Sequence, residues 1–419
     1  MERVLLVAIK TELDKDAWAL EDIAQETKEL VATCGAEVVD DISCLRDKPT
    51  PNLYIGKGKA EELSLICQEE NIDTVIFSQD LSGTQQRNLE EVIARKVIDR
   101  TQLILHIFAR HALTPEGKMQ VELAQLGYSL PRLAGRGIPL SRLGGGIGTK
   151  GPGEQKLETD RRRIRARIAK LKDDLKQVSL HRQTMRKRRQ ENYLPTVALV
   201  GYTNAGKSSL LNALTQAGQV VANNLFTTLD PLSKNLKLPN GENIILSDTV
   251  GFLHNLPHHL VEAFKATLEE VVEADLLIHV IDVANPLFLS QAKAVTEVLK
   301  QLNAQDKPMV TALNKIDLLG GQSWLAQTGA DFPNPVAISA KLKQNLDKLL
   351  EEISLKFKPR MITVELLLPH KRMDLVDLFH RQGKVVEIKY LQKGIKVKVN
   401  LPRTIASKIL QDKEIAQLC

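Results

Sequence analysis

Four short segments, in a fixed order between residues 201 and 317, carry groups suited to binding a nucleotide. They are Gly-Tyr-Thr-Asn-Ala-Gly-Lys-Ser at 201–208, Phe-Thr-Thr-Leu at 226–229, Asp-Thr-Val-Gly at 248–251 and Asn-Lys-Ile-Asp at 314–317. The first matches the phosphate-binding loop, in which backbone N–H groups and a lysine surround phosphate oxygens. That loop alone is a common chance match, but four segments in order within one domain length predict a nucleoside triphosphate switch.

The fourth segment selects the base. The Asp317 carboxylate can accept hydrogen bonds from N1–H and N2–H₂ of guanine, which adenine does not offer. A site built for such bonds rejects an analogue that lacks them by roughly 10⁴–10⁵, so we expect GTP and GDP as ligands. Asn314 should brace the phosphate loop and Lys315 should cover the base. Ser339 and Ala340 should offer backbone donors to the guanine oxygen.

The phosphate loop should place its N–H groups at the positive end of the helix that follows it. The residues expected to surround the phosphates are Gly201, Asn204, Ala205, Gly206, Lys207, Ser208 and Ser209. The Lys207 ammonium should reach the β- and γ-phosphates, and the Ser208 hydroxyl should ligate Mg²⁺.

The second and third segments, the first and second switch below, should sense the γ-phosphate. Thr228 is the preferred Mg²⁺ ligand in the first switch, with Thr227 as the second candidate. Asp248 follows an apolar strand and can hold the metal through water, while the Gly251 N–H can contact the γ-phosphate. The expected catalytic residues are therefore Lys207, Thr228 and Gly251, and the expected metal ligands are Ser208, Thr228 and Asp248.

Phe252 stands directly after Gly251, where many GTPases have a glutamine that orients the attacking water. Phenylalanine neither donates nor accepts a hydrogen bond, so we expect slow intrinsic hydrolysis unless another group positions the water. A partner surface is one candidate. A K⁺ ion is the other, because Asn204 resembles the potassium ligand of some GTPases with a hydrophobic residue here. His254 could be a base, but we interpret it as a surface loop histidine.

The composition is typical of a globular protein. A length of 419 residues suggests two to four domains. The four cysteines show neither metal-ligand spacing nor the density of a disulfide framework, which favours a reducing compartment. Without a long apolar run or a signal peptide, we expect a cytoplasmic protein with no membrane segment. We also expect a monomer.

Positive charge is concentrated in one segment. Residues 160–191 carry thirteen Lys/Arg against four Asp/Glu, a local +9 that leaves −3 for the rest of the +6 chain. A solvated helix face is the alternative, but basic clusters at both ends of the segment favour a polyanion. The expected RNA contacts are Arg136, Arg142, Gly144, Gly145, Gly146, Lys150, Arg161, Arg162, Arg163, Arg186, Arg188 and Arg189.

The chain as a whole predicts a multidomain α/β protein. Residues 1–113 alternate short apolar runs with helical stretches, which predicts a parallel α/β domain. Residues 114–194 predict an antiparallel helical pair around a basic, glycine-rich loop at 134–153. This loop could be a linker, but we prefer the interpretation that it folds on RNA. Residues 195–358 predict a doubly wound P-loop GTPase domain. Residues 359–419 predict a small α+β module with a strand, a helix, two strands and a final helix. A second nucleotide site in the N-terminal domain is an alternative.

Several segments outside the nucleotide motifs resemble the HflX GTPases. They are Tyr-Ile-Gly-Lys-Gly-Lys-Ala-Glu-Glu-Leu at 54–63, Gln-Gln-Arg-Asn-Leu-Glu at 85–90, Val-Ile-Asp-Arg-Thr at 97–101, Gln-Val-Glu-Leu-Ala-Gln-Leu at 120–126 and Gly-Gly-Gly-Ile-Gly-Thr-Lys-Gly-Pro-Gly-Glu at 144–154. The second switch also resembles that family where it continues into Phe252 and into Leu-Pro-His at 256–258. Two positions depart from the family: Gln155 stands where its members usually have Thr, and Thr227 stands where Ala is frequent.

The resemblance implies a translation GTPase that binds the large ribosomal subunit and helps to split stalled or idle ribosomes. It also implies that the helical pair points its glycine-rich loop toward the peptidyl-transferase region. The residues themselves predict GTP, a polyanion and a flexible basic tip, but not splitting. A GTPase of RNA modification or small-subunit assembly, and a nucleotide-gated ribosome-binding module with negligible hydrolysis, remain alternatives.

Overall fold

A computed structural model of the chain describes residues 1–12, 18–133, 152–191, 194–215, 232–254, 257, 260, 265–319, 331–410 and 415–418. The chain divides into two units. The first contains Met1–Ser179, Ala222–Asp230 and Asn255–Ala266; the second contains Leu180–Val221, Pro231–His254 and Thr267–Cys419.

The first unit begins with a four-stranded, fully parallel sheet of order β2-β1-β3-β4. Its strands are β1 (Arg3–Thr11), β2 (Glu37–Arg46), β3 (Thr74–Phe77) and β4 (Lys96–Ile98). Its helices are α1 (Leu20–Thr33), α2 (Lys57–Glu69), α3 (Gly83–Ile93) and α4 (Arg100–His111). The apolar runs of β1 and β3 are buried, as the central strands of a parallel sheet require. The predicted parallel α/β arrangement is confirmed.

Two further helices follow. Helix α5 (Pro115–Arg132) starts with a proline at its first position and is capped by the Thr114 hydroxyl, which accepts a hydrogen bond from Gly117 N at 3.0 Å. Helix α6 (Pro152–Glu191) is 40 residues long, and Arg167 joins it to Glu122 of α5 through two 2.7 Å hydrogen bonds. The sequence predicts one narrow apolar stripe on this helix, because its apolar residues recur at three- and four-residue steps: Ile164, Ile168, Leu171, Leu175 and Val178. Leu171 of this stripe is buried. In the described ranges, no helix has both the length and the hydropathy to cross a bilayer.

The second unit contains a six-stranded sheet of order β10-β9-β8-β5-β7-β6, in which only the edge strand β6 is antiparallel to its neighbour. Its strands are β5 (Thr196–Gly201), β6 (Leu232–Lys237), β7 (Asn243–Asp248), β8 (Leu276–Asp282), β9 (Met309–Asn314) and β10 (Pro335–Ala337). Its helices are α7 (Lys207–Thr215), α8 (Lys265–Glu273), α9 (Phe288–Gln301) and α10 (Leu346–Phe357). Because parallel strands end at one edge of a sheet, the loops after β5, β7, β8 and β9 meet there.

The second unit also includes a C-terminal module, Met361–Leu418, with βαββαβ topology. Its elements are β11 (Met361–Leu368), α11 (Met373–Gln382), β12 (Lys384–Leu391), β13 (Gly394–Pro402), α12 (Arg403–Leu410) and β14 (Ala416–Leu418). The strands form an antiparallel sheet of order β12-β13-β11-β14. The predicted strand, helix, two strands and helix are therefore followed by one more strand, which completes a split βαβ arrangement.

Candidate nucleotide-binding site

The phosphate loop lies between β5 and α7, at the edge where the parallel strands end. Two glycines are required by close approaches to other backbone and side-chain atoms. A Cβ at Gly201 would lie 2.3 Å from the Val280 carbonyl oxygen. Gly206 has φ +97, and a Cβ there would lie 2.3 Å from Asn314 Nδ2. Only glycine allows the loop to lie this close to β8 and β9.

Lys207 begins α7 and is buried among loop carbonyls. Its Nζ donates to the Gly201 oxygen at 3.0 Å and to the Tyr202 oxygen at 2.7 Å. Burial lowers the pKa of Lys207 to about 8, although the Asp248 carboxylate opposes this shift. Burial, followed by the charge of Lys207, lowers the pKa of His279 to about 4, so this histidine stays neutral at pH 7. An anion at the loop would therefore favour the charged form of the lysine.

Two side chains with oxygen atoms that can ligate a metal, Ser208 and Asp248, lie next to this lysine. The Ser208 hydroxyl donates to Asp248 Oδ2 at 2.6 Å, and both residues are buried. Hydroxyl and carboxylate oxygens suit Mg²⁺, which commonly takes few protein ligands and completes its shell with phosphates and water. Among the described residues, no group of three or more His, Cys, Asp or Glu could hold a metal ion. Thr227 and Thr228 lie outside the described residues.

The second switch packs directly on the phosphate loop. Phe252 N donates to the Gly201 oxygen at 3.1 Å, and Thr203 N donates to the Phe252 oxygen at 2.8 Å. A Cβ at Gly251 would lie 2.8 Å from Thr203 Cα. The Phe252 side chain is 1% exposed, so the segment presents backbone rather than a polar side chain at this position.

His254 is buried, with an exposed fraction of 7%, so its interpretation as a surface loop histidine is wrong. Its backbone N–H donates to the Tyr202 hydroxyl at 2.9 Å, which ties the second switch to the phosphate loop. Sequence reasoning did not single out Tyr202, because its role depends on a contact between residues 52 positions apart.

The base-selecting segment is joined to its neighbours by side-chain hydrogen bonds. Asn314 Nδ2 donates to the Ala205 oxygen and Asn314 Oδ1 accepts from Ala340 N, both at 2.9 Å. The Ser339 hydroxyl donates to Asp317 Oδ1 at 2.6 Å. Asn314 therefore connects the phosphate loop to the segment expected to face the base, and the Asp317 carboxylate is oriented by a buried serine.

Lys315 forms an ion pair that the sequence did not predict. Its Nζ lies 2.7 Å from Asp282 Oδ2, and both side chains are largely buried. Asp282 ends β8 and is paired in register with Asn314. An aspartate at the end of a parallel strand was the available signal, since such side chains gather at one sheet edge. Elsewhere in the site, Asn204 is exposed with φ +59, and Ser209 is half-buried in the first turn of α7.

Comparison with known proteins identifies this arrangement. Three family models match in succession: "GTP-binding GTPase N-terminal" at 21–109, "GTP-binding GTPase Middle Region" at 111–189 and "50S ribosome-binding GTPase" at 196–315. The chain is 47% identical to GTPase HflX of Caldanaerobacter subterraneus subsp. tengcongensis, over 97% of this chain and 93% of that protein. It is 39% identical to GTPase HflX of Escherichia coli strain K12, over 96% and 94%.

The chain belongs to the HflX GTPase family. It is accordingly a P-loop enzyme that binds guanine nucleotides and hydrolyses GTP. It is also similar to a GDP-bound GTP-binding protein from Sulfolobus solfataricus, with 26% identity, a TM-score of 0.45, and coverage of 86% of this chain and 99% of that one.

The basic residues of this HflX-family chain lie partly within the described ranges. On α6, Arg162 and Arg163 are exposed and Arg161 is half-buried. Arg163 lies 3.9 Å from Asp160, whereas Arg162 forms no ion pair with another described residue. Arg186, Arg188 and Arg189 belong to the C-terminal end of α6, and their side chains lie outside the described part. Also outside it are Arg136, Arg142, Gly144, Gly145, Gly146 and Lys150.

Proposed function

We propose that this GTPase binds the large ribosomal subunit in its GTP form and promotes the dissociation of stalled or idle ribosomes. The observation that carries the proposal is the exposed basic surface of α6 in a chain whose GTPase region matches a family described as binding the 50S ribosome. Two exposed arginines in one turn of a helix that carries a local +9 suit RNA phosphates, because Arg binds phosphate oxygens in a planar fork.

Splitting would follow from differential binding. A ligand shifts an equilibrium only by the difference between its affinities for the two states. If the GTP form binds the separated large subunit about 10⁴-fold more tightly than the intact ribosome, it can move a 1:99 equilibrium to 99:1. GTP hydrolysis would then return the chain to its weakly binding form.

The site residues would have two roles in hydrolysis: to stabilise charge on the phosphate and to hold Mg²⁺. Lys207 and the Gly251 N–H would stabilise negative charge on the transferred phosphate. Ser208 and Asp248 would hold Mg²⁺, with Thr228 as a third ligand in the GTP form. The metal would supply additional neutralisation of phosphate charge when bound.

We infer that the attacking water is positioned by a group outside the second switch, because the Phe252 ring is buried and apolar. The ribosome or a K⁺ ion near Asn204 could do this. Comparison of hydrolysis rates in K⁺ and Na⁺ buffers at equal ionic strength tests the ion. A faster rate in K⁺ that Asn204→Ala abolishes supports it, and equal rates exclude it.

The proposal is tested by binding to isolated subunits. We expect the chain with a non-hydrolysable GTP analogue to bind purified large subunits and, with GDP, to bind them at least tenfold more weakly. Deletion of residues 134–150 should spare nucleotide binding but impair the ribosomal activity. Preferential binding to small subunits would instead favour a GTPase of assembly or RNA modification.

A further inference from the structure

The hairpin formed by β6 and β7 connects the two switches and also contacts the C-terminal module. At one end, β6 begins shortly after the first switch, and Leu232 pairs with Asp248, the carboxylate of the second switch. At the other end, the hairpin turn at residues 238–242 lies against the link between α11 and β12. The hairpin therefore spans the distance from the nucleotide site to the module.

Both strands of the hairpin cap the C-terminus of α11. Lys237 Nζ donates to the His380 oxygen at 3.1 Å, and Asn243 Nδ2 donates to the Arg381 oxygen at 2.6 Å. These carbonyls lie in the last turn of α11, where intrahelical donors are lacking. The lysine charge also interacts favourably with the negative end of the helix dipole. Two unpaired carbonyls of the module are thus satisfied by the GTPase hairpin.

The hairpin turn and the module fit closely. Gly241 has φ +90, and a Cβ there would lie 2.6 Å from Lys384 Cβ and 2.7 Å from the Gly383 carbonyl carbon. Lys384 Nζ also donates to the Pro239 oxygen at 3.4 Å. A contact with no room for one methyl group transmits displacement, because packed atoms move together rather than compress.

A second contact holds the start of the module at a fixed point. Arg360 Nη2 donates to Asp275 Oδ1 at 2.8 Å, and Asp275 Oδ2 accepts from Thr196 N at 2.8 Å. Thr196 begins β5, the strand that ends in the phosphate loop. The module is thus attached both to this strand and to the hairpin, so displacement of the hairpin would rotate α11 about the attachment at Arg360.

We propose that the C-terminal module is a nucleotide-responsive arm, to which the β6–β7 hairpin transmits the state of the switches through the capped end of α11. This goes beyond the proposed ribosomal function and requires only that the hairpin responds to the nucleotide. Coupling is reciprocal, so removal of the hairpin–module contact should also change the ratio of affinities for the GTP analogue and GDP.

The test is amide hydrogen exchange of the full chain with GDP and with a non-hydrolysable GTP analogue. We expect amides of α11 and of the following strand to differ roughly fivefold or more between the two states, the lower end of allosteric couplings. The variant Lys237→Ala/Asn243→Ala should reduce that difference to less than about twofold. Gly241→Ala, which forces the turn away from Lys384, should do the same.

The matched control is Asn334→Ala. Its side chain also donates to a backbone carbonyl, that of Met309 at 2.9 Å, but beside β9 and β10, at the edge of the GTPase sheet opposite the hairpin. The control should keep the nucleotide-dependent difference in α11. Identical exchange in the two states of the native chain, or an unchanged difference in the Lys237/Asn243 variant, would overturn the proposal. No ribosome enters the assay, so its failure would not bear on the ribosomal function.

Discussion

The Ser339 hydroxyl donates a 2.6 Å hydrogen bond to the Asp317 carboxylate, and Ser339 is fully buried. The carboxylate that is expected to read guanine is therefore held in one orientation by the protein itself. Orientation in advance lowers the entropy cost of ordering the side chain on binding. It also means that a change at Asp317 should affect the choice of base more than the fold.

Asp317→Asn should relax the preference for guanine. The amide cannot accept two hydrogen bonds from N1–H and N2–H₂, so discrimination between GDP and ADP should fall from roughly 10⁴–10⁵ to below about 100. Competition of GDP and ADP against a fluorescent guanine nucleotide measures this ratio. Asp306→Asn, at an exposed aspartate of the same domain, is the control. A variant at Asp317 that still discriminates 10⁴-fold would show that another residue selects the base.

Binding of GDP should take up a proton near pH 8. Burial lowers the pKa of Lys207 to about 8, and phosphate oxygens beside its ammonium group would raise it again. The affinity for GDP should consequently decrease as the pH rises above 8, by up to about tenfold per pH unit. Calorimetry in two buffers with different ionisation enthalpies measures the uptake at pH 8.5. Lys207→Ala should eliminate it and weaken binding at least tenfold; no uptake by the native chain would contradict the account.

Glu242→Gln should stabilise the second unit at alkaline pH. Burial raises the pKa of Glu242 from 4.5 to about 7; the Asn240 hydrogen bond and the Arg360 charge oppose the shift, and Asp275 adds to it. Between pH 4.5 and 7 the folded carboxyl is more protonated than the unfolded one, so stability falls as the pH rises through this window.

The glutamine stays neutral and should avoid this loss, with a gain of about 1–3 kcal/mol at pH 8 and little change at pH 5. Denaturant unfolding at the two pH values measures the difference, and Glu297→Gln on the exposed face of α9 is the control. Equal pH dependence of the Glu242 variant and the native chain would show that this carboxyl is ionised in the fold.

Reversal of Arg161, Arg162 and Arg163 to Glu should weaken binding to the large subunit and reduce its salt dependence. The slope of log K against log[salt] should decrease by roughly 0.7–0.9 for each RNA phosphate that these arginines no longer neutralise. Reversal of Lys293, Lys300 and Lys348, three exposed lysines of the GTPase domain, changes the net charge equally and is the control. An unchanged slope in the arginine variant would place the RNA contacts elsewhere.

The sequence predicted the elements that local patterns specify. The strand–loop–helix of the phosphate site, the parallel N-terminal sheet and the stripe of α6 all follow from residue spacing. Helix α4 was not predicted. Its apolar residues, Leu103 to Leu105, Ile107 and Phe108, lie on several sides of the helix and are all buried, so its sequence shows little of the alternation between apolar and polar faces that indicates a helix. Strand β14 was missed because it has only three residues.

The features of the site that the sequence did not predict depend on contacts between residues far apart in the chain. The prediction for His254 failed because the second switch folds back on Tyr202, and no local pattern indicates that. The pairing of Lys315 with Asp282 and the capping of α11 by Lys237 likewise join positions far apart in the chain. Such contacts depend on the topology of the sheet, which local propensities do not determine.

Sedimentation of intact ribosomes with the purified chain tests whether this GTPase splits ribosomes. With a non-hydrolysable GTP analogue, we expect free subunits, with the chain on the large one. With GDP in place of the analogue, we expect mostly intact ribosomes. Intact ribosomes under both nucleotides, at concentrations where the chain binds isolated large subunits, would contradict the proposed splitting.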